Sequence, residues 1–141
     1  MLTDWQQKLE AVPSVELQED GSHDLGPCRR VWRLSSRIAA QLDEPADRLV
    51  LLAAAYLHDI VSFEKNDPRR PQASRFAAAR ADQILADLDF PAEKRLGVRH
   101  AIEAHSYSAR IAPQTIEAKI LQDADRMETL GAIGVARIFY V

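Results

Sequence analysis

Cysteine is nearly absent from this sequence, since Cys28 is the only one among 141 residues. A single thiol cannot form a disulfide within the chain, which excludes a small secreted scaffold held together by disulfides. The first residues contain neither the basic segment nor the apolar segment of a secretory signal peptide. These two absences predict a cytoplasmic protein whose cysteine is reduced.

Long apolar runs and an excess of positive charge are also lacking. The apolar stretch at residues 49–57 is much shorter than the about 20 residues that span a bilayer, so no membrane association is expected. The chain has 18 Lys and Arg against 21 Asp and Glu, which gives a net charge of -3. This balance gives no reason to expect electrostatic binding of a nucleic-acid polymer.

No segment alternates apolar and polar residues with the period of a β-strand, and no internal repeat is present. Long periodic segments have helical spacing instead, as in Val31, Leu34, Ile38 and Leu42. The length is enough for one domain with a core of its own, so residues 1–141 are expected to form a single domain. We predict an all-α bundle of roughly six helices, near residues 3–11, 24–42, 44–60, 72–88, 92–105 and 115–130.

Several local signals predict where these helices begin and end. Thr3 or Asp4 is the expected cap of the first helix, and Thr115 is the expected cap of the last. Gly131 and Gly134 are expected to loosen the chain after that helix, because glycine is a poor helix former.

The stretch at residues 49–57 is apolar on every side of a helix, which predicts a helix that is buried all round. His58 and Asp59 follow it directly. A buried charged carboxylate is unfavourable without a partner, and a divalent metal ion is a partner that imidazole and carboxylate both bind well. The alternative is that His58 and Asp59 form a plain helix cap or a surface pair.

Other histidines and acids lie on other predicted helices. One short group of this kind on each of several helices is typical of a metal site in the core of a helical bundle. The plain alternatives are a helix cap for Asp24, a surface residue for His100 and a structural residue for His105. The groups are His23 and Asp24 on the second helix, His100 and His105 on the fifth, and Asp123 and Asp125 on the sixth.

The order of these groups resembles the HD-domain superfamily of metal-dependent phosphohydrolases. The resemblance rests on His58-Asp59 after an alanine-rich helix and on the distant Asp123-Ala124-Asp125-Arg126. It implies an HD-type helical bundle that hydrolyses a nucleotide or another small phosphate ester. Further stretches are similar to small bacterial HD proteins of a nucleotide pyrophosphohydrolase-like subgroup, namely residues 21–24, 29–32, 65–66, 72–74 and 101–106.

The resemblance implies that His58 and Asp59 are ligands of a divalent ion, which is Mn, Mg, Fe, Co or Ni. It also selects Asp125 over Asp123 as the distant aspartate ligand. Helix periodicity does not separate these two acids, because both flank the same apolar face. Asp123 is then a candidate hydrogen-bond acceptor that orients a metal ligand without binding the metal itself.

One position departs from the family pattern. The family's first metal histidine falls on Pro27, and proline cannot bind a metal through its side chain. His23 precedes Pro27 by about one helical turn and is the candidate replacement ligand. A site with three protein ligands and an open position can be catalytic, whereas a site that has lost a ligand can also be a disabled one.

In the mechanism that the resemblance implies, the metal lowers the pKa of a bound water, and the resulting hydroxide attacks phosphorus. Asp59 is expected to be one of the catalytic residues. Lys65 is the first candidate to neutralise phosphate charge, because it follows the metal pair closely. Arg29 and Arg30 are further candidates, with a solvated helix face as their alternative role. His105 is expected to assist a second metal ion or the leaving group.

Two further functional hypotheses remain open at this stage. The first is an HD domain that is catalytically impaired at Pro27 and binds a nucleotide or a protein partner. The second is a truncated chain that folds but has lost its activity. The apolar residues 135–141 have no stop signal, which predicts that the C-terminal part of the family domain is missing or that the tail packs in a homodimer.

Overall fold

The structure, a computed structural model, describes residues 1–12, 25–63 and 66–140, and of residues 132–140 it describes only the backbone. Every regular element within those ranges is helical, which confirms the all-α prediction. A search of the described residues for a helix long and apolar enough to cross a membrane finds none.

The described part of the chain contains six α-helices and two short 3-10 turns. The predicted helix at 92–105 has the bounds that the structure shows, and the first helix ends at residue 11 as predicted. The other helix ends differ from the predicted ends by about one to four residues, except that the last helix continues well beyond residue 130. The helices are α1 Leu2–Ala11, α2 Gly26–Gln41, α3 Arg48–Leu57, α4 Ala73–Asp87, α5 Ala92–His105 and α6 Ile116–Tyr140, and the 3-10 turns are Arg70–Gln72 and Tyr107–Ala109.

Helix α3 is the centre of the bundle. Each of its residues from Leu49 to Leu57 is buried, as its apolar circumference predicts. The helix contacts each of the other five α-helices of the described chain. Val31 of α2, Ile102 of α5 and Leu121 of α6 are buried around it. The core is therefore centred on α3, and the packing of α3 fixes the position of His58, which follows its last residue.

The apolar stripe of α2 faces this core over most of its length. Val31 is buried, and Leu34 and Ile38 are partly buried against the core. Leu42, the fourth residue of the stripe, is 41% exposed. The helix ends before it, and an extended backbone at Leu42 turns this side chain away from the direction that helical spacing predicts.

Of the two predicted helix caps, the structure shows the one at Thr115 and does not show the one at Thr3 or Asp4. Thr3 and Asp4 lie inside α1, whose N-cap is Met1 without a side-chain hydrogen bond, so the predicted cap was wrong. Asp4 still lies in the first turn, where a negative charge favours the helix dipole. The prediction for Thr115 is confirmed, because its hydroxyl accepts a hydrogen bond of 3.1 Å from the N–H of Ala118.

Helix α3 begins at Arg48, later than the predicted start near residue 44. Its N-cap is Asp47, and one carboxylate oxygen of Asp47 accepts hydrogen bonds from the backbone N–H groups of Leu49 at 3.0 Å and Val50 at 3.2 Å. These bonds satisfy donors that the first turn of a helix leaves without an internal partner.

Asp47 also joins the start of α3 to α5 and α6. Its second carboxylate oxygen accepts a hydrogen bond of 2.6 Å from Nζ of Lys94 on α5. Its backbone N–H donates to the carboxylate of Glu117 on α6, at 2.9 Å. The starts of α3, α5 and α6 are thus tied at one residue, and these are the helices that carry His58, His105 and Asp125.

Asp47→Ala is expected to lower the free energy of unfolding by about 1–2 kcal/mol at pH 7, the usual cost of losing an N-cap. Burial would raise the pKa of Asp47, but the hydrogen bonds from Lys94 and from the N–H groups of Val50 and Leu49 outweigh it and hold the pKa below its ordinary value. A lowered folded-state pKa means that this stabilisation is present above about pH 5 and is lost as the pH falls through the folded-state pKa.

Urea unfolding of the parent chain and of Asp47→Ala at pH 7 and at pH 3 measures both effects. Asp47→Asn is the matched control, because it keeps a capping oxygen and loses only the charge; we expect it to lie between the parent and Asp47→Ala at pH 7. A destabilisation by Asp47→Ala that is equal at the two pH values would show that the charge of Asp47 contributes nothing.

Helix α6 continues past its predicted end at residue 130 to Tyr140. The backbone is helical through Gly131 and Gly134, so the expected loosening at these glycines was wrong. Each glycine costs a helix only about 1 kcal/mol relative to alanine, which a long helix tolerates. The side chains of the apolar tail, and with them its predicted role in a dimer, lie outside the described residues.

Candidate metal centre

His58 stands at the C-terminal end of α3, where the buried helix delivers it to one edge of the core. Its side chain is 1% exposed. Nδ1 lies 2.7 Å from the carbonyl oxygen of Ala55. A carbonyl only accepts hydrogen bonds, so Nδ1 carries a hydrogen, and Nε2 is the nitrogen that binds either a proton or a metal ion. This is the arrangement that holds a metal-binding histidine in one tautomer.

His105 repeats this arrangement at the C-terminal end of α5. Its Nδ1 donates to the carbonyl oxygen of Ile102, which leaves the Nε2 lone pair free, and the residue is buried. The rings of His58 and His105 are nearly perpendicular, at 88°, with their centroids 5.0 Å apart. Two helices therefore end at the same place, and the negative ends of their dipoles favour a cation between them.

Two carboxylates complete the cluster. One oxygen of Asp59 lies 3.2 Å from Nε2 of His58, and its other oxygen lies 3.8 Å from Nε2 of His105. Asp125 of α6 brings an oxygen to 3.4 Å from Nε2 of His58. The side chains of Asp59 and Asp125 are 63% and 30% exposed, so the cluster is closed by the histidines and open to solvent at the carboxylates.

The electrostatics of the cluster favour positive charge. Burial would lower the pKa of His58, but Asp59 and Asp125 outweigh it and raise the pKa well above its ordinary value. His58 in turn holds the pKa of Asp59 far below its ordinary value, against the effect of burial. For His105, burial and then the charge of His58 lower the pKa. One positive charge is thus well accommodated at Nε2 of His58, whereas a second proton on His105 is not.

The donor set fits a divalent metal ion. His58, Asp59 and His105 each offer one ligand atom, and these atoms lie within 4.8 Å of one another. Two neutral imidazoles with carboxylates suit Mn, Fe, Co and Ni, and carboxylates also suit Mg. Nε2 of a neutral histidine binds either a proton or a metal, so the environment that raises the pKa of His58 also favours a cation in the place of that proton.

The structure brings together His58, Asp59, His105 and Asp125 among the predicted site residues. It also separates the two acids that sequence periodicity treats alike: Asp123 is exposed, whereas Asp125 reaches His58. His23 and Lys65, the other predicted site residues, lie outside the described residues, as does the cap predicted at residue 24. The ligand and catalytic roles of all these residues stay predictions.

Pro27 lies in the first turn of α2, as predicted. The sulfur of the next residue, Cys28, lies 3.7 Å from the carbonyl oxygen of Tyr56. Tyr56 precedes His58 by two residues at the end of α3. The start of α2, where the resemblance predicts a metal ligand in the place of Pro27, therefore lies beside the part of α3 that leads into the cluster.

The arginines that the sequence offered as phosphate ligands have other partners. Arg29 donates two hydrogen bonds, of 3.0 and 3.2 Å, to the carboxylate of Glu10 on α1. Arg30 donates one of 2.8 Å to Glu128 on α6. These pairs join the outer face of α2 to its neighbours, and neither arginine lines the cavity beside the cluster.

A cavity of about 200 Å³ adjoins the cluster, with His58, Asp59 and His105 in its wall. Arg70 is the single Lys or Arg among the described residues that line it. Sequence reasoning placed Arg70 in a polar loop beside Arg69 and had no signal to distinguish the two. The remaining polar lining consists of the hydroxyl groups of Ser62, Ser74, Ser106 and Ser108.

His100 is half-buried, so its expected surface position was only partly right. Its Nε2 accepts a hydrogen bond of 2.9 Å from the backbone N–H of Gln114. This bond joins α5 to the segment that leads into α6. His100 therefore has a structural partner and takes no part in the cluster.

Comparison with known proteins gives two similarities. The profile of a protein family described as HD domain matches residues 25–130. An uncharacterized protein of Bacillus subtilis (strain 168), YpgQ, is 31% identical to this chain over 132 residues, which cover 91% of this chain. The chain spans 61% of the length of that relative.

Proposed function

This chain belongs to the HD domain family, and we propose that it is a metal-dependent phosphohydrolase whose substrate is a nucleotide. The observation that carries the proposal is the convergence of His58, His105 and Asp59 on one point beside an open cavity. Asp125 joins them through His58. HD domains are generally metal-dependent phosphohydrolases; the nucleotide and the activity of this chain are our proposal.

The residues of the cluster divide the work of holding and exposing a cation. When bound, a divalent ion supplies a lowered pKa for water and a positive charge for a phosphoryl oxygen. His58 and His105 hold their Nε2 lone pairs in place through the hydrogen bonds of their Nδ1 atoms. Asp59 stays ionised and faces the solvent, where a substrate enters.

The size and surroundings of the cavity favour a substrate whose phosphate enters the cavity while its organic group stays outside. A volume of about 200 Å³ is below the usual range for a site that encloses a small-molecule ligand. Tyr107 lies between the two lining serines Ser106 and Ser108, and it is 83% exposed. The guanidinium carbon of Arg126 lies 5.9 Å from the ring centre of Tyr107. We propose that a nucleobase stacks on this ring, next to the lining serines, and that its phosphates enter the cavity.

The test is hydrolysis of a panel of nucleoside mono-, di- and triphosphates and of glycerol phosphate. Each assay is run after chelation and again after addition of Mn²⁺, Mg²⁺, Co²⁺, Fe²⁺ or Ni²⁺. We expect activity to disappear on chelation and to return with at least one of these ions. We also expect Tyr107→Ala to lower kcat/KM for the nucleotide about 10-fold or more and to leave glycerol phosphate unchanged, because stacking on an aromatic ring contributes about 1–3 kcal/mol per base.

Tyr107→Phe is the control for the ring itself, since it keeps the stacking surface and loses only the hydroxyl. An equal loss with Tyr107→Ala on both kinds of substrate would show that the residue does not recognise the base. Activity that survives complete chelation would contradict the proposed reaction.

Pro27 favours a second candidate function, an HD domain that binds a nucleotide without hydrolysing it. The first turn of α2 carries a proline, and the resemblance predicts a metal histidine at this position. A binding domain of this kind would retain its nucleotide affinity after chelation and would show no turnover with any of the ions. The panel above therefore separates the two functions.

A further inference from the structure

The metal centre with its ion bound would have too little positive charge to neutralise a phosphate group. A divalent ion in the cluster would bring two positive charges, and the carboxylates of Asp59 and Asp125, which both lie within 3.4 Å of His58, bring two negative ones. The sum is zero, whereas a phosphate group at neutral pH carries more than one negative charge. A further cation beside the cavity would strengthen the binding of such a group.

Arg70 is positioned to supply that cation. It is exposed and lines the cavity, and it forms no ion pair with any residue that the structure describes. Its neighbour Arg69 has the opposite situation, because its guanidinium pairs with the carboxylate of Asp67 at 2.8 Å and lies over the ring of Phe63. Of these two adjacent arginines, only Arg70 lines the cavity, and it has no ion-pair partner among the residues that the structure describes.

The backbone holds Arg70 in this place. Its N–H donates to the carbonyl oxygen of Asp67 at 3.1 Å, and Pro71 follows it in the 3-10 turn Arg70–Gln72. This turn contacts the second 3-10 turn, Tyr107–Ala109, and the side chain of Arg75 just after it donates to the carbonyl oxygen of Ala109. The two turns therefore lie next to each other, and Arg70 from one and Ser108 from the other both line the cavity.

We propose that Arg70 binds the phosphate group of the substrate inside this cavity. The planar guanidinium group offers two parallel N–H donors that match two phosphate oxygens. Ser106 and Ser108 line the same cavity, and their hydroxyls, which lie 3.0 Å apart, provide further hydrogen bonds. This inference rests on the proposed function, and it restricts the substrate to a phosphate ester or anhydride whose phosphate enters the cavity while its organic group stays outside.

Binding of inorganic phosphate to the Mg²⁺-loaded protein tests this role without any turnover. Titration calorimetry gives the dissociation constant for the parent chain and for Arg70→Gln. We expect Arg70→Gln to weaken phosphate binding at least about 10-fold, the effect of losing a charge-assisted pair of hydrogen bonds. Arg70→Lys should recover part of the affinity, because it restores the charge and not the fork. The melting temperature of all variants should stay that of the parent, since Arg70 is exposed.

Arg37→Gln is the matched control for charge alone. Arg37 is an exposed arginine of α2 and lines a different cavity, between α2 and α6. Its substitution should leave phosphate binding unchanged. Phosphate affinity that is equal in the parent chain and in Arg70→Gln, or reduced as much in Arg37→Gln, would overturn the role of Arg70.

The metal content of the same preparations separates this inference from the proposed function. A parent chain that contains metal and binds phosphate independently of Arg70 overturns the inference and leaves the metal centre intact. A parent chain that takes up no metal contradicts the proposed function. In that case a loss of phosphate binding on Arg70→Gln in the metal-free protein would still support Arg70 as a phosphate ligand.

Discussion

Asp59→Asn is expected to lower the affinity for a divalent ion by more than about 100-fold and to abolish metal-dependent hydrolysis with it. Even residues that only support a metal ligand change affinity or activity about 10- to 100-fold, and a direct ligand should exceed that. An amide is isosteric with the carboxylate but carries no charge. Asp59 is close to both Nε2 atoms of the cluster, so its loss removes the negative charge nearest to the ion.

The exposure of Asp59 makes this variant easy to interpret. Its side chain is 63% exposed and the amide keeps its shape, so the helices should remain folded, and the loss of stability should be limited to the lost charge pair with His58. His58→Ala removes a ligand as well, but His58 is buried, and a cavity in the core lowers stability. Elemental analysis and titration with Mn²⁺ measure the loss of metal, and circular dichroism confirms that the helices remain. Full metal content in Asp59→Asn would remove Asp59 from the ligand set.

A paired comparison on α6 extends this test to the distant aspartate. Asp125→Asn is expected to weaken metal binding as well, because Asp125 reaches Nε2 of His58. Asp123→Asn changes the same charge two residues away at an exposed position and should bind metal as the parent does. Equal losses in the two variants would indicate an effect of net charge and no specific ligand.

Pro27→His is expected to raise the affinity for a divalent ion by at least about 10-fold, because it places an imidazole where the resemblance to HD proteins predicts the first metal histidine. The start of α2 lies beside the end of α3, as the contact of Cys28 with the carbonyl of Tyr56 shows. Metal content after mild purification, compared between the parent and the variant, measures the effect. About one ion per chain in the parent would mean that the existing residues suffice.

Pro27→Ala is the control for loss of the proline itself. Proline is favourable in a first helical turn, so both variants should lose a similar, small amount of stability. Only the histidine variant should gain metal affinity. An empty parent with a loaded Pro27→His would favour the disabled binding domain over the enzyme. Equal metal affinity in Pro27→His and Pro27→Ala would show that the first turn of α2 does not reach the ion.

Much of the fold follows from local sequence properties. Helical periodicity and the absence of strand-like alternation predict an all-α protein, and residues 92–105 form the helix that their pattern predicts. The apolar run at 49–57 predicts a helix buried all round, and it is the centre of the bundle. These properties are decided within a few residues of chain, because hydrogen bonding and side-chain spacing in a helix are local.

Helix ends and site membership depend on distant residues. Helix α3 begins at Arg48 because Asp47 also forms hydrogen bonds with Lys94 and Glu117, which are far away in the sequence. Spacing alone offers several acids near that end as caps. A helix end is chosen by small free-energy differences, of about 1 kcal/mol, so one tertiary hydrogen bond is enough to move it.

The sequence by itself determined which residues could bind a metal: His58 and Asp59 at the end of an apolar helix, and an aspartate far along the chain. Only the tertiary structure decided that His105 points at His58, that Asp125 reaches the cluster, and that the cation beside the cavity is Arg70. The reason is geometric. Ligand donors must converge within a few ångströms, and the packing of different helices sets that distance, which the order of residues along each helix does not specify.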